Sequence, residues 1–256
     1  MSAHNLDIYR DAFNGVGWFI PPYVSMGFLS RMVAGIRNNS GAMSQDALEE
    51  FLALIYSEEN LAAMVTERFH KVPFVCDNKT IISEAITAHF MRLDHIAVAG
   101  LLPCIEGIGR KLADSRSVPV TSIKSVFVNL AKDCKTQVTT HNIGAVGEIV
   151  SMMDSFIDFT TNHLYVNSAR YPLADNTNRH GILHGAFGDV EYGKPINFYK
   201  AIASIEFLCF VAGLNHPVGI FAPDHTPASK LLAAYYTGCC STAYIARFRL
   251  SPSGFR

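Results

Sequence analysis

Apolar residues recur at helical spacing along almost the whole chain. Within 44–70 the spaced residues are Leu48, Phe51, Leu52 and Ile55. Within 143–164 they are Ile149, Met152, Met153, Phe156, Ile157 and Leu164. This spacing places apolar side chains on one face of an α-helix, whereas a half-buried strand needs strict alternation. No six-residue window of the sequence alternates apolar and polar residues dependably, so the sequence predicts an all-α fold.

The same periodicity places the individual helices. We expect two helices within 44–70, the first capped by Ser44 and the second over 60–70. The run 80–112 predicts one helix or two in line, broken or kinked between Gly100 and Pro103 because proline interrupts helical hydrogen bonding. The remaining predicted helices are 121–133, 143–164, 177–187, 197–214 with Asn197 as its cap, and a last one that Thr226 and Pro227 open and that ends near Arg249.

A short stretch at 72–79, VPFVCDNK, contains a proline and separates the N-terminal helices from the longer run. It is too apolar for a free linker. We expect an N-terminal helical subdomain over 1–75, followed over 76–256 by a helical bundle with a C-terminal helix. That last helix is rich in small residues and ends in Arg247 and Arg249, and we expect it at the bundle surface or at a dimer seam.

Charge and hydropathy argue against a protein with an overall basic nucleic-acid surface and against a membrane-spanning protein. The formal net charge is -1, so any nucleic-acid site must be a local patch and not an overall basic surface. The longest uncharged run, 12–30, is about long enough to span a membrane. Glycines, two prolines and polar residues interrupt it, and Asp7 and Asp11 precede it. We expect no membrane span, no signal peptide and a cytoplasmic protein.

The polar run NTNRHGILHG, residues 176–185, raises the question of a metal site. His180 and His184 are four positions apart, a spacing that places two histidines on one helix face, as in many zinc sites. The glutamate of HExxH is missing, and no third ligand follows at an obvious short spacing. Arg179 beside the pair would also repel a cation. We predict neither a metal nor a cofactor here.

Arg179 and His184 form a second pair within the run. Five positions apart, they lie about 140° apart around a helix, with His180 between them and Asn176 in the same arc if the helix includes it. Metal-free RNA cleavage uses such groups: the 2′-hydroxyl attacks its own phosphate, a histidine moves the proton and a guanidinium stabilises the phosphate oxygens. The alternative is structural, with Arg179 paired to a carboxylate such as Asp175 and the histidines satisfied inside a bundle.

NRHGILHG, followed by EYGKPIN and the apolar FYKAIASIEFLCF, resembles the C-terminal signature of the HEPN superfamily. That signature is R-x4-6-H with a polar residue directly after the arginine, and here Arg179, His184 and His180 match it. Upstream, VPFV, SEAITAHF and IAVAGLLPCIEGIGRKL resemble earlier helices of one bacterial branch, and GWFIPPY resembles its N-terminal stretch. The resemblance covers most of 13–214 and is strongest over 176–209. It implies a HEPN-like helical bundle, here with an N-terminal helical extension.

The resemblance also implies an activity. It implies a metal-independent endoribonuclease whose homodimer brings two R-x4-H motifs face to face across a composite cleft. Arg179 would bind the scissile phosphate, and His184 would be the acid or base. Such proteins commonly act as toxins, in defence against phage or in RNA processing. RNA is therefore the expected substrate, and an antitoxin or another regulatory protein is an expected partner.

Five further residues are expected to support this pair. They are Asn176, Asn178, His180, Glu106 and Tyr192. Asn178 and His180, which flank Arg179, would orient Arg179 or His184. Glu106 of the PCIEG element would anchor Arg179 or close the cleft, or would instead pair with Arg110 one helical turn away, and both arrangements remain open. Tyr192 is expected more to shape its loop than to take part in chemistry.

A second class of function remains open. Some members of the superfamily keep the fold without cleaving RNA and serve as RNA-binding or protein-assembly modules. The slightly acidic net charge favours such a role, or an RNA surface that forms only on dimerisation. The alternative expectation is therefore a non-catalytic HEPN-like module that binds RNA, a nucleotide or a protein partner.

Overall fold

In a computed structural model the chain folds almost entirely into α-helices, and the structure describes residues 4–37, 44–219 and 221–250. No β-strand occurs among these residues, which confirms the all-α fold. Their α-helices are α1 (His4–Gly15), α2 (Met26–Ile36), α3 (Gln45–Ile55), α4 (Glu58–Ala63), α5 (Lys79–Phe90), α6 (Asp94–Ser115), α7 (Ile123–His141), α8 (Val146–Phe159), α9 (Arg179–Leu183), α10 (Asp189–Tyr192), α11 (Pro195–Gly213) and α12 (Pro227–Leu250). Short π-helical segments, Met64–Phe69 and Thr160–Leu164, continue α4 and α8.

Hydroxyl side chains cap the N-termini of several of these helices. The Ser44 hydroxyl accepts from the Ala47 backbone N–H at 3.2 Å at the start of α3. The Thr226 hydroxyl accepts from the Ser229 backbone N–H at 3.2 Å at the start of α12. Each bond satisfies one of the N–H groups that the first helical turn leaves without a partner. Both of these predicted helix starts are confirmed.

The predicted start of α11 is wrong by two residues. The helix begins at Pro195, whose missing N–H costs nothing at this position. The cap comes from another helix, because the Glu49 carboxylate accepts from the Ile196 backbone N–H at 3.1 Å. Asn197 is the third residue of the helix, and its side chain reaches back to donate to the Tyr192 carbonyl at 2.7 Å. Asn197 therefore ties α11 to the preceding loop without capping it.

The predicted break within 80–112 lies earlier in the chain than expected. The turn 91–93 separates α5 from α6, whereas α6 continues through Gly100 and Pro103. Arg92 in that turn has a left-handed φ of 61°. A left-handed residue other than glycine or asparagine is uncommon and leaves little trace in a sequence, while a proline attracts the prediction. The long helix α6 therefore presents Glu106 from its middle.

Helix α11 forms the centre of the core. Of its 19 residues, 17 are buried, and it packs against α6 and α3. Within the described ranges it is the one helix long and apolar enough to cross a membrane by length and composition, and 94% of its most apolar window is buried inside the protein. A helix that is apolar on all sides is expected at the centre of a fold.

The N-terminal segment contributes to this same core. The buried ring of Phe19 meets the rings of Phe156 and Phe207 edge-on, at centroid distances of 4.9 and 6.0 Å. These contacts connect the GWFIPPY stretch to α8 and α11. The two predicted parts, 1–75 and 76–256, therefore share one hydrophobic core in the described part of the chain. The boundary near residue 75 separates two sets of helices but not two cores.

The C-terminal helix α12 lies against α4 and α5. Tyr236 is fully buried on its inner side. Among its side chains up to residue 245, the exposed large hydrophobic ones are Leu231, Tyr235, Tyr244 and Ile245. The side chains of Arg247 and Arg249 lie outside the described residues, so their place at a dimer seam stays a prediction.

Candidate functional site

The polar run forms a shorter helix than the predicted 177–187, because α9 covers only Arg179–Leu183. Asn178 caps it: its Oδ1 accepts from the Gly181 backbone N–H at 2.9 Å. Its Nδ2 donates to the carbonyls of His163 at 3.1 Å and Val166 at 2.8 Å. Asn178 is fully buried, so it orients Arg179 by fixing the start of α9.

Two glycines set the end and the packing of α9. Gly185 has a left-handed φ of 67°, a conformation that ends many helices and that glycine adopts without strain. Gly181 lies against the Phe187 ring so closely that an added Cβ would come within 2.1 Å of it. Of the two glycines that follow the histidines in the run, Gly185 is therefore required by the backbone conformation and Gly181 by the packing of Phe187.

Arg179, the first residue of α9, forms a two-pronged ion pair with Glu106 of α6. Its Nε donates to Glu106 Oε1, and its Nη2 donates to Oε2 at 3.2 Å. The side chains of Arg179 and Glu106 are 18% and 14% exposed. Parallel donation to both carboxylate oxygens fixes the plane of the guanidinium as well as its position. Of the two arrangements left open for Glu106, the structure has the one that anchors Arg179.

The remaining nitrogen of the guanidinium faces His184. Arg179 Nη1 lies 2.9 Å from His184 Nε2. Because a guanidinium has donors only, Nε2 must be the acceptor, and in this contact the imidazole is neutral with its proton on Nδ1. His184 follows the last residue of α9 and is exposed. The two residues of the R-x4-H pair thus meet within a single chain, at a position open to solvent.

His180 completes the group. Its ring stacks on that of His184 with a centroid distance of 5.8 Å and an angle of 16°. Burial lowers the pKa of His180, and the charge of Arg179 lowers it further. The buried ring of Tyr165 meets His180 edge-on at 6.5 Å, a contact that no sequence motif indicated. We call Glu106, Arg179, His180 and His184 the arginine–histidine cluster.

Asn176 and Tyr192, predicted to support the pair, do not belong to this cluster: Asn176 precedes α9, and Tyr192 is the last residue of α10. Asn176 has a left-handed φ of 60° and donates from Nδ2 to the Glu191 carbonyl at 3.4 Å. The Tyr192 ring packs edge-on against His95 at 5.0 Å. Asn176 shapes the turn before α9, and Tyr192 shapes the segment that leads to α11, as was expected for Tyr192. The assignment of Asn176 as a supporting residue is corrected, because its conformation serves a turn.

A buried polar network, which sequence reasoning missed, lies beside the cluster. Lys200 Nζ donates to Asp175 Oδ2 at 2.6 Å and to the Val16 carbonyl at 3.0 Å. The Thr177 hydroxyl lies between the Asp175 carboxylate and the Asn197 side-chain oxygen. Burial alone would raise the pKa of Asp175, but Lys200 and the hydrogen bonds hold it at about 2. The signal available in the sequence was a lysine inside the apolar run FYKAIASIEF. We call Asp175, Thr177, Asn197 and Lys200 the buried lysine network.

The arginine–histidine cluster leaves part of the guanidinium available to a ligand. An arginine has five N–H groups, of which Nε and Nη2 direct two at Glu106 and Nη1 directs one at His184. One N–H on each terminal nitrogen remains for an anion such as a phosphate. The adjacent neutral imidazole can accept a proton from a hydroxyl held beside that anion. Among the described residues, no group of three or more His, Cys, Asp and Glu side chains could hold a metal ion.

Comparison of the chain with models of protein families, with curated proteins and with solved structures finds no match. The all-α class therefore rests on the structure itself. The HEPN resemblance stays an expectation from the quoted motifs, and the function must be argued from the geometry of the cluster.

Proposed function

We propose that the chain is a metal-independent endoribonuclease and that Arg179 and His184 carry the chemistry. The observation that supports this most is the 2.9 Å contact between Arg179 Nη1 and His184 Nε2. It places a permanent cation and a proton acceptor side by side at an exposed position. An anion bound by the guanidinium would lie next to the imidazole, as phosphate ester cleavage by general acid–base catalysis requires.

In this mechanism Arg179 binds a non-bridging oxygen of the scissile phosphate. His184 Nε2 exchanges its contact with Arg179 Nη1 for one with the neighbouring 2′-hydroxyl and takes the proton of that hydroxyl. The 2′-oxygen attacks phosphorus while the bond to the 5′-oxygen breaks. The products are a 2′,3′-cyclic phosphate and a 5′-hydroxyl that has taken up one proton. Glu106 acts as a positioning residue, because it holds the guanidinium without using its remaining N–H groups.

A second copy of the chain would supply the proton that the 5′-oxygen needs. His184 is exposed, so the same pair of another copy can face it across a twofold axis. Such a homodimer would also join two cationic sites on a chain whose net charge is only -1. Light scattering should show the dimer in solution, and a monomer that cleaves RNA at full rate would exclude the shared site.

The test is cleavage of total RNA in excess EDTA by the wild type and by His184→Ala. Removal of a general acid or base lowers rates by about 10² to 10⁴-fold, and Arg179→Ala should lose a similar factor. The matched control is His141→Ala, which removes an exposed histidine at the end of α7 and should leave the rate unchanged. Loss of cleavage in EDTA would contradict the metal-free mechanism. Equal rates in wild type and His184→Ala would assign the activity to a contaminant.

Action as a toxin or in defence against phage follows from the nuclease proposal, with an antitoxin or another regulatory protein as partner in the cytoplasm. Induced expression in bacteria should then slow growth for the wild type but not for His184→Ala. Equal growth of cells that contain comparable amounts of the two proteins would count against this role while leaving cleavage in vitro untouched.

The ion pair of Arg179 with Glu106 favours a second candidate, a non-catalytic module that binds RNA, a nucleotide or a protein partner. The carboxylate already balances the charge of the arginine, which suits binding more than stabilisation of a transition state. For this candidate, labelled single-stranded RNA should bind without being cut. Glu106→Gln should then tighten binding and steepen its dependence on salt, because one negative charge is removed beside the site.

A further inference from the structure

Glu206 is the acidic residue of the apolar helix α11, and its surroundings differ from those of the basic Lys200. It is only 5% exposed. Burial and the charge of Arg68 act on its carboxyl, but no described residue forms a hydrogen bond with it. Lys200, in contrast, donates to Asp175 and to the Val16 carbonyl. A buried polar group without a hydrogen bond destabilises a fold, so its presence calls for a physical reason.

The Glu206 carboxyl lines a cavity of about 360 Å³. Its apolar walls include Pro22, Val24, Phe28, Ile55, Ala63 and Met64. Tyr23 also lines the cavity, with its hydroxyl buried. Small-molecule sites in proteins have this size and this make-up, with apolar walls and a few fixed polar groups.

The charges around the cavity favour a neutral ligand. Arg68 lies over the Tyr23 ring at 5.2 Å and donates to the carbonyls of Gly219 and Phe221. A cationic headgroup would be repelled by this guanidinium. Burial raises the pKa of Glu206 to about 8 against the opposing effect of Arg68, so at neutral pH the carboxyl mostly carries its proton and both donates and accepts. Any charged headgroup would in addition lose its hydration.

We propose that this cavity binds a small neutral molecule with an apolar body and one polar headgroup, a primary carboxamide or a group of like hydrogen-bonding capacity. The headgroup exchanges hydrogen bonds with the Glu206 carboxyl, and the body contacts the apolar walls. The site is separate from the arginine–histidine cluster, none of whose members lines the cavity. It stands whether or not the chain cleaves RNA.

Three naphthalene probes that differ only in headgroup charge test the proposal. They are 2-naphthamide, 2-naphthoate and 2-naphthylmethylamine. Each is titrated into wild-type protein with ¹³C-labelled methionine methyl groups, and Met64→Leu assigns the Met64 signal. The amide should shift the signal of Met64, which lines the cavity, and leave that of Met153 in α8 unchanged. It should bind at least about tenfold more tightly than either charged probe, the difference expected when a buried polar group is left unpaired.

Two variants at one position separate the headgroup contact from apolar trapping. Glu206→Leu removes both hydrogen-bonding atoms and should weaken amide binding at least about tenfold, whereas Glu206→Gln keeps a donor and an acceptor and should change it less than about threefold. Equal amide binding by wild type and Glu206→Leu would overturn the role of the carboxyl. Stronger binding of the amine or the naphthoate would overturn the neutral headgroup, and no Met64 shift with any probe would overturn the site.

Discussion

Two polar centres with opposite surroundings arise from one short stretch, 175–184. The buried lysine network holds an ion pair whose side chains, Asp175 and Lys200, are 2% and 0% exposed. The arginine–histidine cluster holds another, between Glu106 and Arg179, that keeps partial contact with solvent. In the first centre the bonding groups are enclosed by the fold, whereas in the second a guanidinium edge and an imidazole stay accessible. Similar chemistry therefore serves stability in one centre and is available for binding in the other.

The largest expected effect on stability is that of Lys200→Met. Removing one partner of a buried ion pair leaves an uncompensated charge on Asp175 and costs about 3–5 kcal/mol. Urea unfolding should show this loss, whereas the same substitution in the partly exposed pair, Arg179→Met, should cost less, because solvent screens the Glu106 charge that remains. Asp175→Asn combined with Lys200→Met should recover much of the loss. Equal costs for the two single variants would remove the distinction between the centres.

The next contrast is between His163 and His184 and concerns how the stability of the fold depends on pH. Burial lowers the pKa of His163 to about 4 from an ordinary 6.5, and the charge of Lys200 adds to this. Because the folded protein resists protonation, the stability contributed by His163 is complete above pH 6.5 and is lost as the pH falls towards 4. The shift corresponds to about 3 kcal/mol. His184, in contrast, is exposed.

The measurement is the free energy of unfolding at pH 7 and pH 4.5 for wild type and His163→Gln. Glutamine keeps a donor for the Asn14 carbonyl, which lies 3.0 Å from His163 Nε2, but does not titrate. The raised pKa of Glu206 gives an opposite slope, which is common to both proteins and cancels in the comparison. Wild type should lose more stability on acidification than the variant does, and parallel losses would show that His163 is not the group responsible.

Helical periodicity was sufficient to predict the fold class and most helices, because apolar spacing is local information. It did not predict the turn at Arg92 or the cap that Glu49 provides for α11, since the first depends on a backbone conformation and the second on a residue distant in sequence. The pairing of Arg179 with Glu106 was left open for the same reason. Glu106 lies 73 positions from Arg179 in the chain, and residue-spacing rules apply only to positions that are close in sequence.

Which residues within 175–184 are buried and which are exposed could also not be predicted from the sequence. The polar residues of this stretch look alike in a linear reading, but Asp175, Thr177 and Asn178 point into the core while His184 is exposed. What separates them is the short length of α9, which Gly185 ends with a left-handed φ. A helix of the predicted length would have distributed the same side chains differently around its axis.

Asn178→Ala tests the boundary between the two centres and should have an intermediate effect. It removes the cap of α9 and leaves the carbonyls of His163 and Val166 without their donor. Loss of such a cap costs about 0.5–2 kcal/mol. Urea unfolding measures this cost, and the RNA cleavage assay should show a reduced rate because Arg179 is less well placed. Asn178→Ser, which keeps a neutral capping oxygen, should recover part of the stability, and no recovery would place the role of Asn178 in its donor bonds alone.

The smallest expected change in stability belongs to His184→Ala, the variant expected to lose the most cleavage. His184 is exposed, and Arg179 keeps both bonds to Glu106 when the imidazole is removed. Substitutions at such surface positions change the free energy of unfolding by about 0.5 kcal/mol or less. Unfolding in urea should therefore superimpose on that of the wild type, with the exposed His141→Ala as the matched reference. A cost close to that of Asn178→Ala would instead place His184 among the residues that hold the fold together, because only a side chain whose contacts the fold needs can destabilise it by that amount.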